Sequence, residues 1–489
     1  MQLHSQTVSL DPREWKTGAT ASATNEKLAA LVFDRLLALD NYGRFQPRLA
    51  TEWSHDAAFK KWQFILRTNV KFSDGTLLNA ADVAGALQPL LLNGQQIRAS
   101  ANSVVIQSAV AMPDLLEELA SGRLFVYRAQ PDGTLMGTGP FFVVEIGTEG
   151  RRPSNPAAKD SDGASVARGA TGTMHLRFRA NEETWAGRPF LDEIDVTIGV
   201  PPLRQLFDLQ LGKADLVELS PDLVRRAMQE KLRVWSSVPV TLYALRFDDA
   251  QPGVADAKLR EALALSLDRH TMANVLLQKQ AEPAAALLPQ WLSGYAFLFT
   301  MEKDIERAKE IRAALPPSAA ASKEPLRLRV EAGGDLPKLL GERVAVNVRQ
   351  AAIPLQVVNR AALRGSSATT SSNDAAASVH LFAWHYSSLS SRIELESFVS
   401  TLNLGESTSS AVSPTDPEQL YAREKKLLEE RRVLPLVVLP EYVGLGPNVR
   451  DWMPARWGEW HLADVWLTVP ESGAEQRGNS NAASPGAKP

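Results

Sequence analysis

Apolar side chains alternate with polar ones along residues 62–67. Trp62, Phe64 and Leu66 occupy every second position, and a single wholly apolar step at Ile65 interrupts the pattern. A period of two predicts a strand with one buried face. Residues 73–75, Ser-Asp-Gly, then predict a turn, because Asp hydrogen-bonds its own backbone and Gly tolerates a positive φ.

A helix with a capped start is predicted directly after this turn. Asn79 stands three residues before Asp82, so the Asn side chain is placed to cap the helix while the acid faces its positive end. The apolar face that this helix would bury consists of Val83, Ala86, Leu87, Leu90 and Leu91.

Helix-like and strand-like periods alternate elsewhere in the chain. We expect an early helix that begins near Thr24, with apolar positions at Leu28, Leu31, Val32, Leu36 and Leu39. Further along, residues 326–330 and 355–358 resemble strands, and residues 336–350 between them resemble a helix. This alternation predicts an α/β fold.

These patterns occur in an order that resembles extracellular solute-binding protein family 5. That family contains the oligopeptide-, dipeptide- and nickel-binding receptors of ABC importers. The resemblance is carried by Pro47, Leu49, Ala50, Glu52, Trp53, Phe64, Leu66, Arg67, Val70, Phe72, Ser73, Asp74, Gly75, Ala81, Asp82 and Val83. Residues 137–141, Gly-Thr-Gly-Pro-Phe, also match the family's "G-T-G-P-Y" turn.

The resemblance implies a two-lobed periplasmic-binding-protein-like α/β fold of the class II type, with a small extra subdomain in the first lobe and two interlobe crossings. We expect the first lobe over residues 1–244, with a reduced subdomain at about 40–135. The second lobe is expected over 245–440, followed by a return to the first lobe over 441–470. Residues 471–489 are polar and rich in Gly, Ser and Pro, which predicts a disordered tail.

The resemblance also implies a receptor that captures a peptide or peptide-like solute between its lobes by hinge closure. The positions that match family motifs give these cleft candidates: Thr20, Ser22, Tyr243, Arg246, Trp384, His385 and Tyr386. The expected partners are the solute and the membrane permease subunits of an ABC transporter, and the chain is expected to be a monomer without a cofactor.

One departure from the family concerns the recognition of a peptide amino group. Family receptors place an Asp shortly after the tryptophan that matches Trp384, and this chain has no carboxylate there before Glu394. A buried ammonium without a counter-charge is costly, so recognition of an amino terminus would need Glu394, Glu396 or Glu441 as a substitute.

Other chemistries find weaker support. His380 and His385 would face opposite sides of one strand, which argues against joint metal ligation, and no zinc-binding framework accompanies them. Asp192, Glu193 and Asp195 suggest a glycosidase pair, but solvated charges on a strand explain them better. A hydrolase remains the less favoured alternative, since no nucleophile elbow is present. We therefore expect a binding protein and not an enzyme.

Composition narrows the partners further. The chain of 489 residues carries 53 basic and 56 acidic residues, a net charge of −3, so no strong field would attract nucleic acid. It contains no cysteine, which excludes disulfides and thiolate metal sites.

The cellular location is left open by the residues themselves. No apolar run approaches the roughly 20 residues of a membrane helix. The first residues also lack the basic and apolar regions of a signal peptide. Family resemblance implies an extracytoplasmic location, in the periplasm or at the cell surface. The alternative is a cytosolic ligand-sensing module of the same fold.

Overall fold

The computed structural model of the chain describes residues 1–5, 8–15, 20–91, 94–148, 173–248, 254–315, 325–359, 377–404 and 416–468. The predicted disordered tail, residues 471–489, lies outside the described residues. None of the described helices is both long and apolar enough to cross a membrane.

Twelve α-helices occur in the described part of the chain. They are α1 (Thr20–Val32), α2 (Ala80–Leu87), α3 (Leu115–Leu119), α4 (Pro202–Gln210), α5 (Pro221–Gln229), α6 (Ala257–Ser266), α7 (Arg269–Thr271), α8 (Gln290–Ser293), α9 (Ile305–Ala314), α10 (Asp335–Gln350), α11 (Ser391–Thr401) and α12 (Pro417–Glu429). Short 3-10 helices cover Pro12–Glu14 and Ala296–Leu298, and a π-helical turn covers Met272–Leu276.

The strands of the first half are β1 (Gln2–Leu3), β2 (Leu37–Leu39), β3 (Phe45–Pro47), β4 (Ala50–His55), β5 (Lys61–Leu66), β6 (Gln96–Ser100), β7 (Ser103–Gln107), β8 (Arg128–Ala129), β9 (Leu135–Met136), β10 (Phe141–Thr148), β11 (Met174–Ala180), β12 (Glu193–Ile198), β13 (Leu216–Leu219) and β14 (Arg233–Phe247). Those of the second half are β15 (Glu282–Pro283), β16 (Leu326–Val330), β17 (Leu355–Asn359), β18 (Val379–His385), β19 (Val433–Leu445), β20 (Val449–Arg450) and β21 (Trp466–Leu467).

The largest sheet runs through both lobes. Its order is β10-β11-β12-β1-β13-β19-β14-β18-β16-β17, and β15 pairs with β19 as an eleventh strand. A separate sheet of order β4-β5-β7-β6 forms the small subdomain of the first lobe. The predicted two-lobed α/β architecture with a small extra subdomain is therefore confirmed.

Each lobe has its own hydrophobic core. The first-lobe core includes Leu28 from α1, Phe64 from β5 and Phe178 from β11, all fully buried. The second-lobe core lies on both faces of its part of the sheet, with Leu381 on one face and Trp384 on the other. Because burial of apolar side chains is the main driving force of folding, two separate cores allow two bodies that move relative to one another.

Two long strands, β14 and β19, connect the lobes. The start of β14 pairs with the end of β19, and the rest of β14 pairs with the start of β19, so both strands belong to both lobes. Their ladder is irregular between Ser236 and Thr241, where Pro239 lies opposite Pro440. Proline has no N–H to donate to a ladder, and this explains the interruption.

Local predictions in the small subdomain are confirmed. Strand β5 buries Trp62, Phe64 and Leu66 on one face. The Asn79 side chain accepts hydrogen bonds from the N–H groups of Ala81 and Asp82, and the Asp82 side chain accepts one from the Asn79 N–H. This reciprocal arrangement is a capping box.

The predicted length of the first helix is wrong. Helix α1 ends at Val32, and Leu37–Leu39 forms strand β2, so Leu36 and Leu39 are not helical. The carbonyl of Val32 accepts a hydrogen bond from the Gly139 N–H (2.9 Å), and Leu36 accepts one from the Ala50 N–H (2.8 Å). Tertiary hydrogen bonds thus replace the helical ones that the leucine spacing predicted.

Candidate functional site

Two neighbouring cavities lie between the lobes. We name them the Glu118 cavity, of about 90 Å³, and the Glu459 cavity, of about 40 Å³. Residues that line both are Glu26, Ser121, Gly122 and Ser387. The two cavities are therefore parts of one cleft, with walls from both lobes.

The walls of the Glu459 cavity come from four segments of the chain. The first lobe contributes Ala23, Glu26, Lys27, Arg35, Ser121, Gly122, Trp457, Gly458 and Glu459, and the second contributes His385, Tyr386, Ser387 and Leu389. Helix α1 is central because it places Glu26 and Lys27 at this wall while its leucines pack into the first-lobe core.

Two ion pairs line the first-lobe wall. Lys27 Nζ lies 2.6 Å from Glu441 Oε2, and Arg35 Nη1 lies 2.7 Å from Glu459 Oε1. Arg35 also donates to the Gly122 carbonyl at 2.7 Å. Burial, the largest single effect, raises the pKa of Glu459, but Arg35, His461 and Arg48 together outweigh it and the net shift is downward. Both cations are therefore already matched by carboxylates.

Glu394 organises the second-lobe wall. Its carboxylate accepts hydrogen bonds from the N–H groups of Ser387 (2.7 Å) and Ser388 (2.6 Å) and from Trp384 Nε1 (3.0 Å). Burial raises the pKa of Glu394, while these donors oppose the shift. The carboxylate fixes the loop that follows β18, so its hydrogen-bonding capacity serves the fold.

The other two predicted substitutes for the family's ammonium-binding Asp are also paired. Glu396 accepts from Arg392 at 3.3 Å, and Glu441 is bound to Lys27. All three glutamates considered from the sequence thus have partners in the protein.

His385 and Tyr386 line the Glu459 cavity. The Tyr386 hydroxyl donates to the Leu287 carbonyl at 2.6 Å, so this ring is held in place. His385 is only 6% exposed, and its Nδ1 has no hydrogen-bond partner within the described chain. Burial lowers the pKa of His385 to about 4, and the imidazole is therefore neutral at pH 7.

The structure places three other predicted site residues away from both cavity walls. Trp384 packs in the second-lobe core and reaches the cleft only through its bond to Glu394. Tyr243 is also a core residue, and burial raises its pKa to about 12. Arg246 lies 3.7 Å from Glu331. None of the three lines either cavity.

Thr20 and Ser22 are in the first turn of α1, and their side chains lie outside the described residues. Glu26, one turn further along, was not predicted from the sequence. A signal for it existed: Glu26 and Lys27 are the only charged residues of Thr20–Val32. A charged pair within an otherwise apolar and small-residue helix indicates a position that faces polar surroundings.

Direct contacts join the lobes beside the Glu118 cavity. Arg392 of α11 binds Asp114 of the first lobe through two hydrogen bonds, of 2.7 and 3.0 Å, and the Ser390 hydroxyl donates to the same carboxylate. The Leu389 N–H donates to Ser121 Oγ at 3.2 Å. These contacts need both lobes, so they hold the two walls of the cleft together.

A third cavity, of about 280 Å³, lies within the first lobe and includes Asp34. The Asp34 carboxylate accepts hydrogen bonds from Thr138, Trp185 and Arg48, each at 2.9 Å. It therefore ties α1 to the turn at residues 137–140 and serves packing of the lobe.

The two histidines that raised a metal hypothesis do not meet. His380 Nδ1 lies 2.7 Å from Glu331 Oε1, whereas His385 lies in the cleft. Among the residues that the structure describes, no group of three or more His, Asp or Glu side chains is arranged to hold a metal ion.

Comparison with known proteins adds independent information. A sequence model of the bacterial extracellular solute-binding proteins, family 5 Middle, matches residues 44–150 and 168–394. The probable di/tripeptide-binding protein 5 of Pseudomonas aeruginosa is 23% identical over 296 residues, which are 56% of this chain and 56% of that protein. The nickel-binding periplasmic protein of Escherichia coli is 23% identical over 350 residues, 66% of this chain and 64% of that protein. The chain thus spans between half and two thirds of the length of these two curated relatives.

Solved structures share the fold across nearly the whole chain. The dipeptide-binding protein from Pseudoalteromonas sp. SM9913 in complex with Met-Leu has a TM-score of 0.73 at 15% identity and covers 96% of this chain and 100% of its own. NikA from Brucella suis in complex with Fe(III)-EDTA has a TM-score of 0.72 at 17% identity, with the same coverage.

Proposed function

Because the chain belongs to the bacterial extracellular solute-binding proteins, family 5, we propose that it is the substrate-binding receptor of an ABC importer and captures a peptide or peptide-like solute. The observation that carries this proposal is the cleft whose walls come from both lobes. A ligand held there contacts both bodies and so favours the closed population. Its partners would be the solute and the permease subunits of the transporter.

Hinge closure is the mechanism that we assign to this receptor. The irregular ladder at Pro239 and Pro440 is the weakest part of the connection between the lobes, because two consecutive stretches of strand lose regular pairing there. The lobe boundaries predicted from the sequence, residues 1–244, 245–440 and 441–470, are part of this proposal, but the irregular pairing at Pro239 and the packing of Tyr243 in the second-lobe core favour a first crossing a few residues before residue 244.

Several expectations belong with this function. Relatives named as periplasmic binding proteins support an extracytoplasmic location. The relatives are named for binding and not for catalysis, which supports a receptor without enzymatic activity. A receptor of this kind delivers its ligand unchanged to the permease. A monomer is sufficient for binding, because both walls of the cleft come from one chain.

The proposal is tested by thermal denaturation of the purified protein against a library of peptides, opines, sugars and nickel chelates. A ligand that binds only the folded state at a hundredfold excess over its Kd stabilises by about 2.7 kcal/mol. We expect a peptide or peptide-like hit that is weakened in His385→Leu and retained in His380→Leu. The two histidines lie on the same strand, but only His385 lines the cleft.

Silence across the library, together with turnover of an ester, amide or glycoside, would contradict a receptor. A hit that both histidine variants weaken equally would contradict the cleft as its binding site.

A further inference from the structure

A carboxylate without a partner lies where the two interlobe cavities meet. Glu26 is half-buried on α1 and lines both the Glu118 cavity and the Glu459 cavity. Within the described residues it forms no hydrogen bond or ion pair. An unpaired carboxylate partly removed from water is unfavourable, so its position needs an explanation other than fold stability.

No neighbouring cation is free to pair with the Glu26 carboxylate. Lys27 and Arg35 are the cations that act on it, and they are bound to Glu441 and Glu459. Each of these two ion pairs is neutral as a unit. Arg123 lines only the Glu118 cavity. The Glu459 cavity is lined by two carboxylates, Glu26 and Glu459, and two cations, but Lys27 is engaged by Glu441 from outside the lining, so three carboxylates share two cations.

A second group in the same cavity also lacks a partner. His385 comes from the second lobe, is more than nine-tenths buried, and has a free Nδ1. Glu441 and Lys27 are the charged groups near it, and both are already paired with each other. The imidazole is neutral, and it therefore provides a hydrogen-bond acceptor without adding positive charge.

We propose that the Glu459 cavity receives a cationic nitrogen of the ligand, with Glu26 as its counter-charge and His385 as a hydrogen-bond acceptor. The proposal rests on the receptor function and narrows its substrates to amines, such as peptides with a free amino group. An ammonium group gains an ion pair when Glu26 ionises, whereas an anion would keep Glu26 protonated and gain no ion pair. Because Glu26 and His385 belong to different lobes, the ammonium group would favour closure directly.

The ionisation of Glu26 is consistent with this geometry. Burial raises its pKa to about 8; Arg35 and Lys27 oppose this shift, while Glu394 and Glu459 reinforce it. An ammonium group would stabilise the carboxylate and displace its proton. Binding of an amine whose own pKa lies near 10 should therefore strengthen from pH 6 to pH 8 and release a proton.

A ligand-free measurement tests whether the carboxylate is unpaired. The pKa of Glu26 is raised from its ordinary 4.5 to about 8, so the folded state loses stability relative to the unfolded state as pH rises between those values. We expect Glu26→Gln to melt at the same temperature as the wild type near pH 4.5 and at a higher temperature at pH 8. Glu52→Gln, at an exposed site, should track the wild type at both pH values. A Glu26→Gln protein that melts lower at pH 8 would show that Glu26 has a stabilising partner, and would overturn the proposal.

Binding tests the ligand class separately. Peptides with free amino groups are compared with their Nα-acetylated copies, and solutes that carry no amine are included. We expect hits among the free amines only, weakened at least tenfold in Glu26→Gln. His385→Leu should also weaken them, and His385→Asn should restore binding because its side-chain amide can take the place of Nδ1.

The outcomes separate the two proposals. Equal binding of acetylated and free peptides, or unchanged amine binding by Glu26→Gln, would overturn the amine site and leave the receptor function standing. No binding by any solute would contradict the receptor function and the amine site together.

Discussion

The glycines at residues 137 and 139 show how a single side chain decides local structure. A Cβ at Gly137 would lie 1.8 Å from the Val32 carbonyl oxygen, and one at Gly139 would lie 2.6 Å from the Val32 carbonyl carbon. The turn therefore packs directly on the last turn of α1. This close approach explains the glycines without any need for a phosphate or a ligand at the turn.

Substitution at this turn should destabilise the protein strongly. We expect Gly137→Ala to lower the free energy of unfolding by at least about 3 kcal/mol, since backbone must move to admit the new methyl group. Urea denaturation followed by tryptophan fluorescence measures the change. Gly147→Ala is the matched control, because a Cβ at Gly147 meets nothing within 4 Å. Equal stability of the two variants would contradict the packing argument.

The sequence predicts the location of some site residues but not whether their side chains are free to bind a ligand. His385 and Tyr386 were predicted for the cleft and line it. Glu394 was considered as a ligand group, but three hydrogen bonds to its own loop and strand occupy it. Whether a carboxylate is engaged or free depends on donors that the linear sequence does not place.

At the scale of elements, helix α2 begins with a reciprocal capping box. Two backbone N–H groups of its first turn bond to Asn79 at 2.9 and 3.0 Å. The N-cap residue of helix α5 is Ser220, whose side chain makes no such bond. The N-cap side chain therefore contributes to helix stability in α2 but not in α5.

This contrast predicts different costs for two similar substitutions. Asn79→Ala should destabilise by about 1 kcal/mol, because two N–H groups lose their acceptor. Ser220→Ala should change stability by less than about 0.5 kcal/mol. Chemical denaturation of both variants checks this, and a larger loss for Ser220→Ala would refute the assigned roles.

The end of α1 shows where helical periodicity misleads. Leu36 and Leu39 continue the spacing of Leu28 and Val32, yet the chain turns after Val32 into strand β2. The leucines are buried by different neighbours and not by one helical face. Long-range hydrogen bonds decide such a boundary, because propensity differences between conformations are small by comparison.

At the scale of the whole molecule, the two lobes are connected by strands and closed by side chains. Strands β14 and β19 pass between two separate cores and are irregularly paired at Pro239 and Pro440. Arg392 of α11 and Asp114 of the first lobe join the lobes through a side-chain ion pair. The balance between open and closed forms depends on such interlobe contacts.

Removal of this ion pair should shift the molecule towards the open form. We expect the ligand-free Arg392→Ala protein to have a larger radius of gyration by small-angle X-ray scattering. A ligand found in the thermal screen should bind about tenfold more weakly, a change of about 1.4 kcal/mol. Arg226→Ala is the control, because Arg226 pairs with Glu230 inside one lobe.

An Arg392→Ala protein with the wild-type radius and affinity would show that the pair does not contribute to closure. A larger radius of gyration together with weaker binding in Arg226→Ala would instead indicate general instability.

The sequence by itself determined the α/β class, strand β5, the start of α2 and the glycine turn at residues 137–141. Each of these depends on neighbours within a few residues: an alternation of apolar side chains, a cap three residues from its partner, or a backbone that must lack a Cβ. The resemblance of motifs in the same order as in family 5 predicted, in addition, that the chain forms two lobes.

Only the tertiary structure decided which charged groups meet in the cleft. Glu26 and His385 lie far apart along the chain and on different lobes, and they line one cavity because two cores and two crossing strands bring them together. The partners of Lys27, Arg35 and Glu394 follow from the same arrangement. Ion pairing acts over a few ångströms in space regardless of separation in sequence, so no local pattern could reveal that Glu26 alone is left without a partner among these described groups.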